Sequence, residues 1–280
     1  MSLRSIFVVA CAAVLAGQGA ADLGSKVRKG TSDASPKVED KEPLIVRLQR
    51  VEANSETHFY VGKLSIGKPE PQVLQVLFDT ASGHVLLPHH SCKSPACQKH
   101  RSYSPWKSAT AMDINADGKP VQEGVRLVQG KVPRDAITVE FAQADLGDGV
   151  ATSVMVRDQV CLGTEFGGQV CTDVDVMAAI ELKDKLFDAM PYDGMLGLSM
   201  GGLATEINCV YFSRLMETTP GLLPQFGLSI GAQSGEIYFG GHDKSKLAAP
   251  LEWFPVLHPT DGFWEVEVKA IRLGNVTVDA

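Results

Sequence analysis

Leu77-Phe78-Asp79-Thr80-Ala81-Ser82-Gly83 closes an apolar run that begins at Val73. A buried strand that ends in a carboxylate, followed at once by small and hydroxyl-bearing residues, delivers an acid to a tight hydrogen-bonded loop. Asp79 also has a plainer meaning. An aspartate after a strand caps an ordinary turn, with Thr80 or Ser82 bonding the backbone. The residues on either side decide between the two.

Outward from Asp79, short runs rich in β-branched and aromatic residues alternate with Gly, Pro, Asp and Asn. Strands are expected over Phe59–Ile66, Val73–Phe78, His84–Leu87, Ala136–Phe141, Ser153–Cys161, Gln225–Ile230, Glu236–Phe239 and Trp264–Leu273. The pair around Gly231–Gly235 reads as a hairpin. Helix signals are few: Ile207–Glu217, stopped by Pro220-Gly221, and Met177–Ala189. No repeat occurs. The class is all-β with minor helices, and the strand spacing suits a barrel or sandwich.

The 280 residues suffice for one large or two modest domains, and the 21% charged, 44% hydrophobic composition is that of a globular protein. A formal net charge of −7 argues against a nucleic-acid partner, which favours a basic face. Arg4, the apolar run Ile6–Ala16 and the small residues Gly19-Ala20-Ala21 read as a secretory leader cut near Ala21. The run falls short of the ~18 apolar residues of a spanning helix. Asp22–Glu42 is polar and aperiodic and reads as a disordered linker or propeptide remnant. Of six cysteines, Cys11 lies in the leader. In an oxidising compartment the spacings Cys92/Cys97 and Cys161/Cys171 suggest two local bridges, leaving Cys209 free or paired outside the chain. Zinc ligation fits these spacings poorly, and free thiols fit the leader poorly.

A wider pattern surrounds the acid. His58-Phe59-Tyr60-Val61-Gly62-Lys63-Leu64-Ser65-Ile66-Gly67-Lys68-Pro69 and Gln72 precede Phe78-Asp79-Thr80, and Pro88, Cys92, Cys97 and Pro105 follow. Further on come Tyr192-Asp193-Gly194-Met195-Leu196-Gly197-Leu198 and Ser234-Gly235-Glu236-Ile237-Tyr238-Phe239-Gly240-Gly241-His242-Asp243. After these stand Leu251-Glu252-Trp253-Phe254-Pro255-Val256 and Gly262-Phe263-Trp264-Glu265-Val266. In this order the pieces resemble the pepsin-like aspartic proteases over roughly residues 56–275. That family shows Y-x-G-x-x-x-I-G-x-P-x-Q, F-D-T-G-S, two cysteines with four residues between them, F-D-G-I-L-G-L, S-G-E-x-x-F-G-G-x-D, L-x-W-x-P-V and G-Y-W-x-V.

The resemblance implies a bilobed all-β fold with a cleft, each lobe supplying one aspartate. Two carboxylates ~3 Å apart share a proton, an arrangement for which this family is the standard example. One acts as general base on water; the protonated one polarises the scissile carbonyl, with no cofactor and no metal. By the same matching Asp79 is the catalytic carboxylate of the N-terminal lobe, Thr80 braces its loop and Ser82 hydrogen-bonds Asp79. Gly194 and Gly197 let strands approach closely.

The chain departs from the family in four places. Ala81 stands at the family's Gly, which costs roughly 1 kcal/mol if the loop needs positive φ. Phe141 holds the place of the flap tyrosine, with Gly147-Asp148-Gly149 following late; its other reading is an ordinary strand residue. Leu86 replaces the tryptophan that the flap tyrosine contacts. No second D-T-G occurs; Asp279, in Val-Thr-Val-Asp-Ala, reads as a turn residue. The expectation is therefore a fold with a truncated C-terminal lobe. Residues 1–21 are the leader, 22–50 linker or propeptide remnant, 51–224 the N-terminal lobe and 225–280 an incomplete second lobe.

His84, His89, His90 and His100 read as a solvated loop rather than a metal site, and no G-x-S-x-G supports a serine hydrolase. Asn275-Val276-Thr277 is a glycosylation sequon. The functional expectation is a secreted or vacuolar-lumen aspartic endopeptidase with an acidic optimum, cutting between bulky apolar residues of peptides or proteins. It has no nucleic-acid partner and no stable membrane span, and it is monomeric at full length. The rival is a catalytically inactive relative that binds peptides in its cleft. A third reading pairs two copies of a lone lobe to assemble a two-aspartate site.

Overall fold

The computed structural model describes residues 6–11, 42–121, 134–143, 146–163, 168–273 and 276–279. Its early strands are β1 (Ile6–Cys11), β2 (Leu44–Glu52), β3 (His58–Ile66), β4 (Gln72–Asp79) and β5 (Val85–Pro88), then helix α1 (Pro95–Lys99). Next come β6 (Met112–Ile114), β7 (Ile137–Gln143), β8 (Gly147–Gly163) and β9 (Gln169–Lys183), then α2 (Asp184–Ala189) and β10 (Gly194–Gly197). The chain continues with α3 (Tyr211–Thr218), β11 (Gln225–Ile230), β12 (Ser234–Phe239), β13 (Ala270–Leu273) and β14 (Val276–Asp279).

One mixed sheet of 12 strands runs β1-β11-β12-β2-β3-β4-β10-β5-β9-β8-β6, with β7 beside β8. A further pairing of β3 with β8, Leu64 opposite Leu162, closes β3, β4, β10, β5, β9 and β8 into a ring. The period-2 alternation of each strand sorts its side chains to two faces. Leu64, Ile66, Leu74, Val76, Val156, Val176 and Leu196 fill one core, while Phe59, Val61, Leu86, Met155, Met177 and Met195 fill a second on the opposite face. Each such side chain, fully buried, contributes about 1.5–3 kcal/mol relative to exposure. The all-β expectation is met.

Five local expectations change. Residues 44–50, read as the end of a linker, are strand: Val46 and Leu48 enter the core and β2 pairs with both β12 and β3. Met177–Lys183 belongs to β9, because the long β8 offers a partner edge along its whole length. The helix begins only at Asp184, whose φ of 76° turns the chain out of the strand. Ile207–Glu217 divides into a 3-10 turn over Ile207–Cys209 and α3. Of Trp264–Leu273 only Ala270–Leu273 is strand, paired with β14, so Asp279 ends a strand opposite Ala270 and is no turn residue.

Ile6–Cys11, the first part of the run read from sequence as a leader, forms β1, antiparallel to β11 with Ile6 opposite Ile230. Among the described residues no helix is long and apolar enough to cross a membrane. Trp253, Phe254, Leu257, Phe263, Val266 and Val268 lie exposed along a stretch without strand pairing. Trp264 anchors that stretch, donating its indole N–H to the Leu198 carbonyl at 2.9 Å and packing edge-on against Phe226.

Candidate active site

Asp79 is the last residue of β4, half-exposed, where the chain leaves the sheet. β10 runs parallel to β4 with Gly197 opposite Asp79, and antiparallel to β5. The loop between β4 and β5 therefore wraps the end of β10. Three backbone bonds hold it there. Leu198 N–H donates to the Asp79 carbonyl at 2.7 Å, Ser199 N–H to the Ser82 carbonyl at 3.0 Å, and Gly197 N–H to the His84 carbonyl at 2.9 Å. Glycine is required at the crossing, since a Cβ on Gly197 would stand 2.4 Å from the Ser82 oxygen and one on Gly194 2.3 Å from the Leu86 oxygen. The sequence expectation for these two glycines rests on the same close approach.

The carboxylate is oriented by its own loop: Ala81 N–H donates to Asp79 Oδ1 at 2.9 Å. Ala81 is exposed and is not among the positive-φ residues, so alanine carries no conformational penalty here. The expected bond from Ser82 to Asp79 is not formed. Ser82 turns inward, and its Oγ is buried without a hydrogen-bond partner among the described residues. An orphaned hydroxyl costs about 1–3 kcal/mol. The Thr80 hydroxyl, half-exposed, braces nothing among the described residues.

Two further residues border this loop. Tyr192 is buried and meets Phe59 edge-on at 5.3 Å. Burial and then the Asp79 charge push its phenol well above the ordinary range. His84 is buried beneath the loop, its Nε2 3.1 Å from the Thr205 backbone nitrogen. Sequence alone shows neither the approach of Tyr192 to Asp79, apart from the aromatic at the head of Tyr192-Asp193-Gly194, nor the contact of His84 with Thr205. Asp193 itself is structural, its carboxylate accepting the Gln75 N–H at 2.8 Å and the Arg101 N–H at 3.0 Å.

Phe141 sits on the β7–β8 hairpin opposite Gly149, and its ring packs edge-on against Phe187 of α2 at 5.8 Å. A Cβ on Gly149 would lie 2.7 Å from that Phe187 ring, so the hairpin leans directly on the helix. Leu86 is buried in β5, in the same core that Phe141 borders. The expected disulfides Cys92–Cys97 and Cys161–Cys171 are present, and Cys209 is a buried free thiol. Asn275 lies outside the described residues.

The histidines do not form a solvated loop. His84 and His89 are buried, and burial lowers their pKa values to about 4 and about 3, the latter helped by His90 and Arg134. His89 Nδ1 lies 2.7 Å from the Ser91 hydroxyl, and its ring meets the Trp106 indole edge-on at 5.9 Å. His89, just past the end of β5, is buried where it bridges to Tyr103, whereas His84, just before β5, is buried against Thr205. No group of three or more His, Cys, Asp or Glu among the described residues is placed to hold a metal ion.

A family model for eukaryotic aspartyl proteases matches residues 59–146 and 140–280. Cathepsin E-B of Xenopus laevis is 29% identical over 224 residues, covering 78% of this chain and 49% of its own length. Cathepsin E of Cavia porcellus is 28% identical over 220 residues, 77% of this chain and 48% of its own. The pregnancy-associated glycoprotein of Equus caballus is 30% identical over 226 residues, 78% of this chain and 49% of its own. The chain thus spans about half the length of the relatives it matches.

Proposed function

This chain belongs to the eukaryotic aspartyl protease family, and from that membership we propose an aspartic-type endopeptidase in which Asp79 is one of two acting carboxylates. The observation that carries the reading is the wrapped loop. A half-exposed carboxylate is held at a strand end by backbone bonds from β10, and Ala81 N–H orients one of its oxygens. That leaves the other oxygen for water or a second carboxylate. With both in place, one ionised carboxylate draws a proton from water while the protonated one donates to the scissile carbonyl, and no covalent intermediate forms. The substrates are peptides or proteins with bulky apolar residues flanking the cut. The leader and two disulfides fit a secretory or vacuolar lumen.

The test is cleavage of denatured protein at acid pH by the full-length protein, repeated with Asp79→Asn and with a statine-type inhibitor. The expected loss is roughly 10²–10⁴-fold, the range of general acid–base catalysis. Unchanged cleavage by Asp79→Asn would remove Asp79 from the mechanism.

A second reading is a catalytically inactive relative that binds peptides in its cleft. Two observations favour it: Ser82 leaves its hydroxyl orphaned instead of supporting Asp79, and Phe141 brings no hydroxyl to the flap position. This reading predicts saturable peptide binding that is indifferent to Asp79→Asn, and no cleavage at any pH.

A further inference from the structure

His84 stands where the Asp79 loop meets the segment 201–206. The residue is 5% exposed. Thr205 N–H donates to Nε2 at 3.1 Å, and the Thr205 hydroxyl lies 3.2 Å from the same nitrogen. A backbone N–H aimed at Nε2 fixes the tautomer: the lone pair is on Nε2 and the ring proton on Nδ1. The two backbones are equally close. A Cβ on Gly83 would stand 2.7 Å from the carbonyl of Leu203, so glycine lets the loop lie flat against that segment. On the far side of Thr205 its hydroxyl is 3.6 Å from Cys209 Sγ.

We propose that His84 is a positioning residue for Asp79: its neutral ring, accepting the Thr205 N–H, clamps segment 201–206 onto the loop that carries the carboxylate, and protonation of the ring opens the clamp. The catalytic half of this statement rests on the reading of Asp79 as an acting carboxylate. The clamp itself does not.

A proton on Nε2 would face the Thr205 N–H with a second donor, losing the hydrogen bond and leaving a buried charge. The ionisable groups around this contact are Asp79 on the loop, Glu206 and Cys209 on the 201–209 segment, and Asp175 of β9, which acts on Cys209. None of them is what displaces His84, whose pKa falls to about 4 through burial. The clamp is therefore closed through weakly acid conditions and opens at the acid extreme.

The test follows the His84 ring by NMR in the full chain, together with hydrogen exchange of the Thr205 amide, in wild type, His84→Gln and His84→Leu. Gln offers a carbonyl oxygen at similar reach that does not titrate in this range. In wild type the ring titrates well below 6.5, and Thr205 protection falls about tenfold per pH unit between 6.5 and the folded pKa. In His84→Gln protection holds across that interval; in His84→Leu it is lost at every pH. In the full-length enzyme the acid limb of kcat/KM moves to lower pH in His84→Gln. A ring that titrates near 6.5, or Thr205 exchange indifferent to both pH and His84→Gln, overturns the clamp. Cleavage with an unmoved acid limb overturns the positioning role and leaves the protease reading intact. No cleavage at any pH, with Thr205 exchange as expected, overturns the protease reading and leaves the clamp. If His84→Leu does not fold, wild type and His84→Gln decide the question.

Discussion

At Ala81 the missing methyl of a glycine would bring nothing. The loop keeps a negative φ there, so Ala81→Gly only enlarges the unfolded ensemble. The expected cost is about 0.4–1 kcal/mol, read from a urea midpoint; a gain in stability would show that the loop is strained at alanine. Gly197 is the opposite case. Its Cβ direction points into the Ser82 and His84 backbones, which cannot rotate away as a side chain could. Gly197→Ala is expected to cost roughly 3 kcal/mol, the upper end of overpacking, and to dislodge the Asp79 loop with it. Asp79, its loop and these glycines were legible in the sequence because each belongs to a short motif with a local mechanical reason. His84, Tyr192 and the inward turn of Ser82 were not, since their surroundings come from segments far along the chain, Thr205 lying 121 positions from His84.

The hairpin β7–β8 and helix α2 form one mechanical unit, pinned by the Phe141–Phe187 contact and the bare face of Gly149. Phe187 is fully buried, so Phe187→Ala is expected to cost about 3–5 kcal/mol. It should also speed hydrogen exchange across β7 before the rest of the sheet opens; uniform exchange would show that the hairpin does not depend on the helix. Most strands were readable from alternation alone, and β3, β4, β11 and β12 fall where the pattern places them. The failures share a cause. Within Met177–Ala189, read as a possible helix, Met177–Ile180 is an unbroken apolar run, and such a run belongs equally to a strand buried on both faces by the two cores. Residues 264–269 alternate as a strand should, yet a strand exists only where a partner edge does.

Over the whole molecule the buried histidines set a pH dependence. His84 and His89 have folded pKa values lowered from 6.5 to about 4 and about 3, so the unfolded chain takes up protons that the folded chain refuses. Their contribution is intact above 6.5 and is lost as pH falls through the interval below it, on the order of 3 kcal/mol for His84 and more for His89. Urea midpoints of the full chain should therefore fall between pH 6.5 and 4, and replacing His89 with Gln should flatten the curve; a midpoint that rises on acidification would contradict the burial. The all-β class and the family were open to sequence reading, whereas the choice between the barrel and the sandwich that the strand spacing allowed was not, because the closed ring depends on one pairing between β3 and β8. The ring also has a consequence in time. β10 completes it from between β4 and β5, and the contact that brings the two regions together, Gln75 to Asp193, spans 118 positions. At synthesis rates of ~5–20 residues per second, β4 waits roughly ten seconds for the strand that will hold its aspartate. During that wait the acid at its tip is a loose end on a nascent chain, with its own Ala81 N–H beside it but without the β10 strand end that pins the loop in place.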